Sequence, residues 1–133
     1  MANQTSNKRV TAIVPAFNEE RDIAGVLREI SSYPGFSEII VVDDGSSDNT
    51  REVIANCKGV NLIAHQKNQG KSIAVCSGVQ KATSDLILLL DADLIGLTAQ
   101  NLTDLIQPVL TGEADISMSI IRNSPYRLIG LAS

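Results

Sequence analysis

Asp85-Leu86-Ile87-Leu88-Leu89-Leu90-Asp91-Ala92-Asp93 sets the fold class. Five consecutive apolar residues run into two carboxylates spaced i, i+2. The run is too short to span a membrane, and without polar alternation it reads as a strand covered on both faces. Buried carboxylates without partners are costly, so Asp91 and Asp93 belong at the strand mouth. Two acidic groups at the carboxyl end of a buried parallel strand suit a hard cation. Mg²⁺ or Mn²⁺ is commonly held by one or two carboxylates together with a substrate's phosphates. Taken alone, the pair is explained equally well by a helix cap and a solvated side chain.

Upstream of this stretch, strand-like and helix-like segments alternate. Val10 to Val14 is a β-rich run ending at Pro15. Asn18 is placed to cap a helix, with Glu19, Glu20 and Asp22 at its positive end and Ile23, Val26, Leu27 and Ile30 on one face. Pro34-Gly35 stops that helix. Ile39 to Val42 is a second strand, leading into the turn-rich run Asp43 to Thr50, where Ser47 or Asp48 can cap a helix carrying Val53, Ile54 and Cys57. Val60 to Ala64 is a third, less apolar strand suited to a sheet edge. Ser72 to Ala82 is a helix whose Ala74, Gly78 and Ala82 form a small-residue stripe for close packing.

Downstream, Asn101 to Leu110 is a helix in which Pro108 predicts a kink, or a break near Gln107. Ile116 to Ile121 reads as a fifth strand. The resulting β-α-β-α-β-α-β-α-β order implies a mainly parallel sheet with right-handed crossovers and helices on both faces. Ligands of such sheets bind beyond the carboxyl ends of the strands. Four polar clusters lie at those ends: Pro15 to Glu19, Asp43 to Asp48, Gln66 to Lys71, and Asp91 to Asp93.

The 133 residues fit one domain, and 44% hydrophobic content is enough for a core. With 3% aromatic residues and no Trp, that core should be aliphatic. A net charge of −4 argues against a nucleic-acid binder. It also means that a phosphorylated ligand needs a cation or local positive groups. Cys57 and Cys76 stand outside any metal-ligand spacing and read as reduced, buried residues of a cytoplasmic protein. The polar first residues lack the apolar core of a signal peptide, and no stretch approaches the ~18 apolar residues of a membrane span. Residues 1–8 are expected to be flexible. His65 is the sole histidine. No partner for it is evident in the sequence, so a surface position is expected.

Four motifs then act together: Val14-Pro15-Ala16-Phe17-Asn18-Glu19-Glu20, Val41 to Thr50 with its Asp43-Asp44-Gly45-Ser46 core, Asn68-Gln69-Gly70-Lys71, and Leu90-Asp91-Ala92-Asp93. In order and spacing they resemble the family 2 glycosyltransferases of the GT-A fold. The segment Asp91 to Thr98 is most similar to polyprenyl-phosphate sugar transferases and glucosyl-3-phosphoglycerate synthases. The resemblance runs from about Val10 to Arg122 and implies a Rossmann-like nucleotide-binding half. It implies that Pro15, Ala16, Phe17 and Glu19 line the base and ribose of a UDP- or GDP-linked sugar. Asp44 would accept a hydrogen bond from the base ring N–H, while Asp43 holds the loop. Gly70 and Lys71 would lie near the nucleotide or its diphosphate. Asp91, Ala92 and Asp93 match the family's D-x-D motif, whose two carboxylates serve the metal, Mg²⁺ or Mn²⁺.

Two departures from the family pattern stand out. Ile95 occupies a position where some polyprenyl-phosphate sugar transferases place a polar metal helper, so water should carry more of the metal shell. The family also continues into an acceptor-binding half that supplies the catalytic base. Residues 9–122 are therefore expected to be the donor half and residues 123–133 the start of the acceptor half, with no catalytic residue inside this chain. The full-length family leaves room for a peripheral membrane or lipid-phosphate acceptor. An uncovered edge at the fourth strand would favour association of copies.

Other classes fit less well. Gly70-Lys71-Ser72 suggests a P-loop, but His65 stands where its first glycine is required. A receiver-like signalling domain would carry an acidic pair after the first strand, where this chain has Pro15-Ala16-Phe17-Asn18. A non-catalytic sugar-nucleotide-binding domain shares every site feature and differs only in turnover.

Overall fold

A computed structural model describes residues 8–118. Four strands, β1 (Val10–Ala16), β2 (Glu38–Asp43), β3 (Asn61–Ala64) and β4 (Leu86–Leu89), alternate with four helices, α1 (Ile23–Ser32), α2 (Thr50–Ala55), α3 (Lys71–Lys81) and α4 (Ala99–Leu110). The sheet order is β3-β2-β1-β4 and every pairing is parallel. β3 takes the edge expected of its weaker hydrophobicity. β1 lies at the centre and is buried along nearly its whole length.

Period-two alternation divides the strands between two cores. Val10, Ala12 and Val14 of β1 and Ile39 and Val41 of β2 face one side, where Ile23, Leu27, Ile30, Ile54, Leu102 and Ile106 of α1, α2 and α4 close over them. Ile13, Ile40 and Val42 face the other side, against Ala74 of α3. Gly78 lets α3 approach closely. A Cβ there would stand 2.6 Å from Cγ2 of Ile13, so the small-residue stripe does the packing expected of it.

Several expectations are corrected. β4 is not covered on both faces: Leu86 and Leu88 pack on the first core, but Ile87 and Leu89 are 39% and 52% exposed. Their register partners on β1 are Thr11 and Ile13, so they share the face that α3 covers. α3 lies over β1 and β2 and leaves the β4 end of that face open. Asn18 does not cap α1, which starts at Ile23 with Asp22 as its N-cap. Asn18 instead adopts a left-handed φ of 53°, tolerated by its short polar side chain, and its Oδ1 accepts from the amides of Ser47 and Asp48. α4 begins two residues before Asn101, because Thr98 and Asn101 form a reciprocal capping box. It does not break at Gln107. Pro108 lies in the final turn, where only one helical hydrogen bond is lost.

Cys76 is exposed and Cys57 only half-buried, beyond the end of α2. Residues 116–118 form no strand. The remainder of the expected fifth strand and the expected acceptor-half segment lie outside the described residues. So does nearly all of the expected flexible N-terminus. Among the described residues, no helix is long and apolar enough to cross a membrane.

β1 continues through Pro15 to Ala16, two residues past its expected end. Hydrogen bonds alternate between the two neighbours of a central strand. Ile13 accepts from Leu90 on the β4 side, and Ala16 accepts from Asp44 on the β2 side. The missing N–H of Pro15 therefore falls on the β4 side, where the ladder ends, and the β1–β2 ladder continues past it to Ala16.

Candidate functional site

The sheet's carboxyl ends surround an open cleft of about 340 Å³. Pro15, Ala16 and Phe17 from the end of β1 form an apolar wall, with Phe17 45% exposed. Glu19 follows on the same loop. Asp44 enters from β2, and Asn68 and Lys71 enter from the loop and helix after β3. Asp91, Ala92 and Asp93 close the cleft from the end of β4. Nine of the ten residues expected from the sequence line this one space. Gly70 does not. It lies outside the lining and donates its amide to Oδ2 of Asp44 at 2.9 Å. Asn68 and Ala74 also line the cleft and were not expected to. Asn68 was visible only as part of a motif, and Ala74 only as packing.

Asp44 is buried, with 3% of its surface exposed, and its carboxylate is held by several donors. Oδ1 receives the Nδ1 side of His65 at 2.8 Å and the amide of Gln69 at 2.9 Å. Burial opposes its ionisation. The hydrogen bonds from His65, Gln69 and Gly70 outweigh that effect and hold the carboxyl below its ordinary range. His65 corrects the sequence reading: its side chain is 9% exposed and bridges Asp44 to Oγ of Ser77, 2.9 Å from Nε2. Asp43 points away from the cleft. It accepts from the Nε of Arg51 at 2.8 Å and from the amide of Ser46, which fastens the β2–α2 loop.

Gly45 is essential to this arrangement. Its φ is +74°, and a Cβ would stand 2.4 Å from the carbonyl carbon of Lys67. The bare backbone lets the β3–α3 loop pass against the β2–α2 loop and deliver Gln69 and Gly70 to Asp44.

The cleft's far side is acidic. Burial pushes the Glu19 carboxyl up, and the negative charges of Asp93, Asp22, Asp48 and Asp91 push it further. The Lys71 Nζ stands 2.6 Å from Oδ1 of Asp91. Both groups are well exposed, so the pair contributes at most about 1 kcal/mol. Asp93 makes no ion pair among the described residues. Nor, among those residues, do three or more His, Cys, Asp or Glu side chains converge to enclose a metal. Two rim carboxylates offering only oxygen fit a hard divalent ion that shares its shell with water and a ligand's phosphates. Ile95 is 87% exposed and adds no donor.

Known proteins share this architecture. The chain is 41% identical over 96 residues to a dolichyl-phosphate beta-glucosyltransferase, ALG5C, of Trichomonas vaginalis, covering 62% of this chain and 28% of that one. It is 33% identical over 101 residues to the undecaprenyl-phosphate 4-deoxy-4-formamido-L-arabinose transferase of Aeromonas hydrophila, covering 69% and 31%. It thus spans under a third of the length of these curated relatives. Among solved structures, the glucosyl-3-phosphoglycerate synthase of Mycobacterium tuberculosis in complex with Mn²⁺, UDP and glucosyl-3-phosphoglycerate superposes with a TM-score of 0.73. The identity is 28%, over 82% of this chain and 42% of that one. The fold is the Rossmann-like GT-A arrangement. The family model for glycosyl transferase family 2 matches residues 11–127, and the chain belongs to that family.

Proposed function

We propose that the cleft binds the nucleoside diphosphate portion of a UDP- or GDP-linked sugar together with Mg²⁺ or Mn²⁺, as the donor half of a glycosyltransferase. The observation that carries this reading is the convergence of four separate β–α connections on one space, apolar at one wall and acidic at the other. Pro15, Ala16 and Phe17 offer the base and ribose a flat apolar surface. Asp44 offers an acceptor to a base ring N–H. Asp91 and Asp93 hold the cation, and Lys71 sits where a diphosphate would need a counter-charge. A bound divalent ion neutralises charge developing on the departing nucleoside diphosphate. The acidic rim from Glu19 to Asp93 repels a bare diphosphate, so donor and cation enter as a unit.

In this reading the sugar passes to an acceptor activated by residues beyond the donor half. The acceptor class is a lipid phosphate or another phosphorylated small molecule, in keeping with the names of the similar proteins. Calorimetric titration with UDP and GDP, with and without Mn²⁺, tests the reading. Binding should require Mn²⁺. Asp93→Ala should lose at least about tenfold in metal-dependent affinity, the equivalent of roughly 1.4 kcal/mol, with an unchanged circular dichroism spectrum. Wild-type affinity in that variant refutes the metal assignment.

A further inference from the structure

We infer that His65 is a positioning residue for base recognition, clamping Asp44 so that one carboxylate lone pair is left for a nucleobase ring N–H. The inference rests on the nucleotide reading of the cleft and adds to it a residue that never touches the ligand. A carboxylate offers about four acceptor positions. Among the described residues three are taken on Asp44: His65 and the Gln69 amide on Oδ1, and the Gly70 amide on Oδ2. The remaining position is on Oδ2, and Asp44 lines the cleft. An ionised carboxylate only accepts, so Nδ1 of His65 carries the proton. In the neutral ring Nε2 then accepts from the Ser77 hydroxyl. Ser77 sits on α3, so the helix fixes the ring plane and the ring fixes the carboxylate plane.

The backbone of His65 is anchored independently of its ring. Its amide donates to the Asp43 carbonyl and its carbonyl accepts from Nη2 of Arg51. Changing the ring therefore leaves the loop's path in place and alters what the ring holds. Uracil carries a ring N–H that can donate to the free Oδ2 position, whereas cytosine presents a bare ring nitrogen that a carboxylate repels. Guanine and adenine differ in the same sense. The UDP-to-CDP affinity ratio thus reports how firmly Asp44 is held.

The test uses two side chains that each keep half of the imidazole. His65→Asn places an amide N–H near the Nδ1 position and keeps the bond to Asp44. His65→Gln reaches toward the Nε2 position and keeps only Ser77. Affinities for UDP and CDP, with GDP and ADP as a second pair, are measured in Mn²⁺ on the whole chain. The wild type should prefer UDP to CDP, or GDP to ADP. His65→Gln should lose about tenfold of that preference, the scale of one hydrogen bond to a charged group, and His65→Asn should keep most of it. Ser77→Ala, a milder change that frees the ring without unpairing Asp44, should lose a smaller factor. Wild-type preference in both His65→Gln and Ser77→Ala, or equal loss in His65→Asn and His65→Gln, overturns the inference while nucleotide binding stands. A wild-type chain that binds none of these nucleotides overturns the parent reading as well.

Discussion

Two carboxylates on the same cleft are pulled in opposite directions by their surroundings. Asp44 receives donors on both oxygens and ionises more readily than usual. Glu19 is partly desolvated, faces other acids and ionises less readily. The sign for Glu19 follows from its raised folded-state pKa. The fold disfavours its charged form, so the charge costs stability at neutral pH, and the cost vanishes below the unfolded value of 4.5. Glu19→Gln should therefore raise the melting temperature at pH 7 and leave it unchanged near pH 3. Equal shifts at both pH values in thermal scans would remove charge repulsion as the cause. At this scale the sequence was most legible where residues act through their own motif. Asp91 and Asp93 stand at the strand mouth as their spacing required, and Phe17 stands at the cleft. His65 was illegible because its partners lie 21 residues before it and 12 after it. Only the β2–β3 pairing and the crossover of α3 bring them together. Asn18 misled for the same reason: its side chain serves a loop some thirty residues away.

At the scale of elements, short apolar runs bounded by turn residues, together with helical periodicity, gave all eight described elements in order, because length and spacing of apolar residues report burial. What those patterns do not carry is the neighbour. The apolar run of β4 predicts two covered faces, yet coverage depends on where α3 lies, and Leu89 is half exposed. Pro15 ends a strand by local rule. It continues here because the donor it lacks faces β4, which leaves the ladder with β2 intact. Close approaches are likewise hidden until the elements are assembled. Gly45→Ala combines a left-handed backbone with a clash against Lys67, and it should cost about 2 kcal/mol or more. The urea midpoint should fall accordingly, with the Gln69 and Gly70 amides losing exchange protection. Gly78→Leu should overpack α3 against Ile13 and Val42 and cost about 1–3 kcal/mol. An unchanged midpoint in either variant would show that the loops or helix can separate at little cost.

Across the whole molecule, carboxylates held below their ordinary range set the response to acid. Asp44 has its donors around it, and Thr11 and Thr83 hold the Glu38 carboxyl down at the opposite end of the sheet. A depressed folded-state pKa contributes stability above the unfolded values, 3.8 and 4.5, and that contribution is lost as pH falls through the folded ones. The urea midpoint should be nearly constant from pH 7 to 5 and drop below about pH 4. Glu19 opposes this with one group only. A midpoint that rises on acidification would mean that the repulsive acids dominate.

The loops after β1, β2 and β3 are joined by hydrogen bonds through Asn18, Asp44 and Asn68, whereas the segment Asp91 to Asp93, among the described residues, makes one side-chain hydrogen bond across the cleft, from Lys71 to Asp91. Three sides of the vessel are thus cross-braced by hydrogen bonds, and the fourth is seated by the burial of Leu90 and Ala92 in the core beneath it. A guest whose negative charge drew Lys71 away would release only the Asp91 side chain, while the backbone that carries both aspartates stays seated by Ala92 between them.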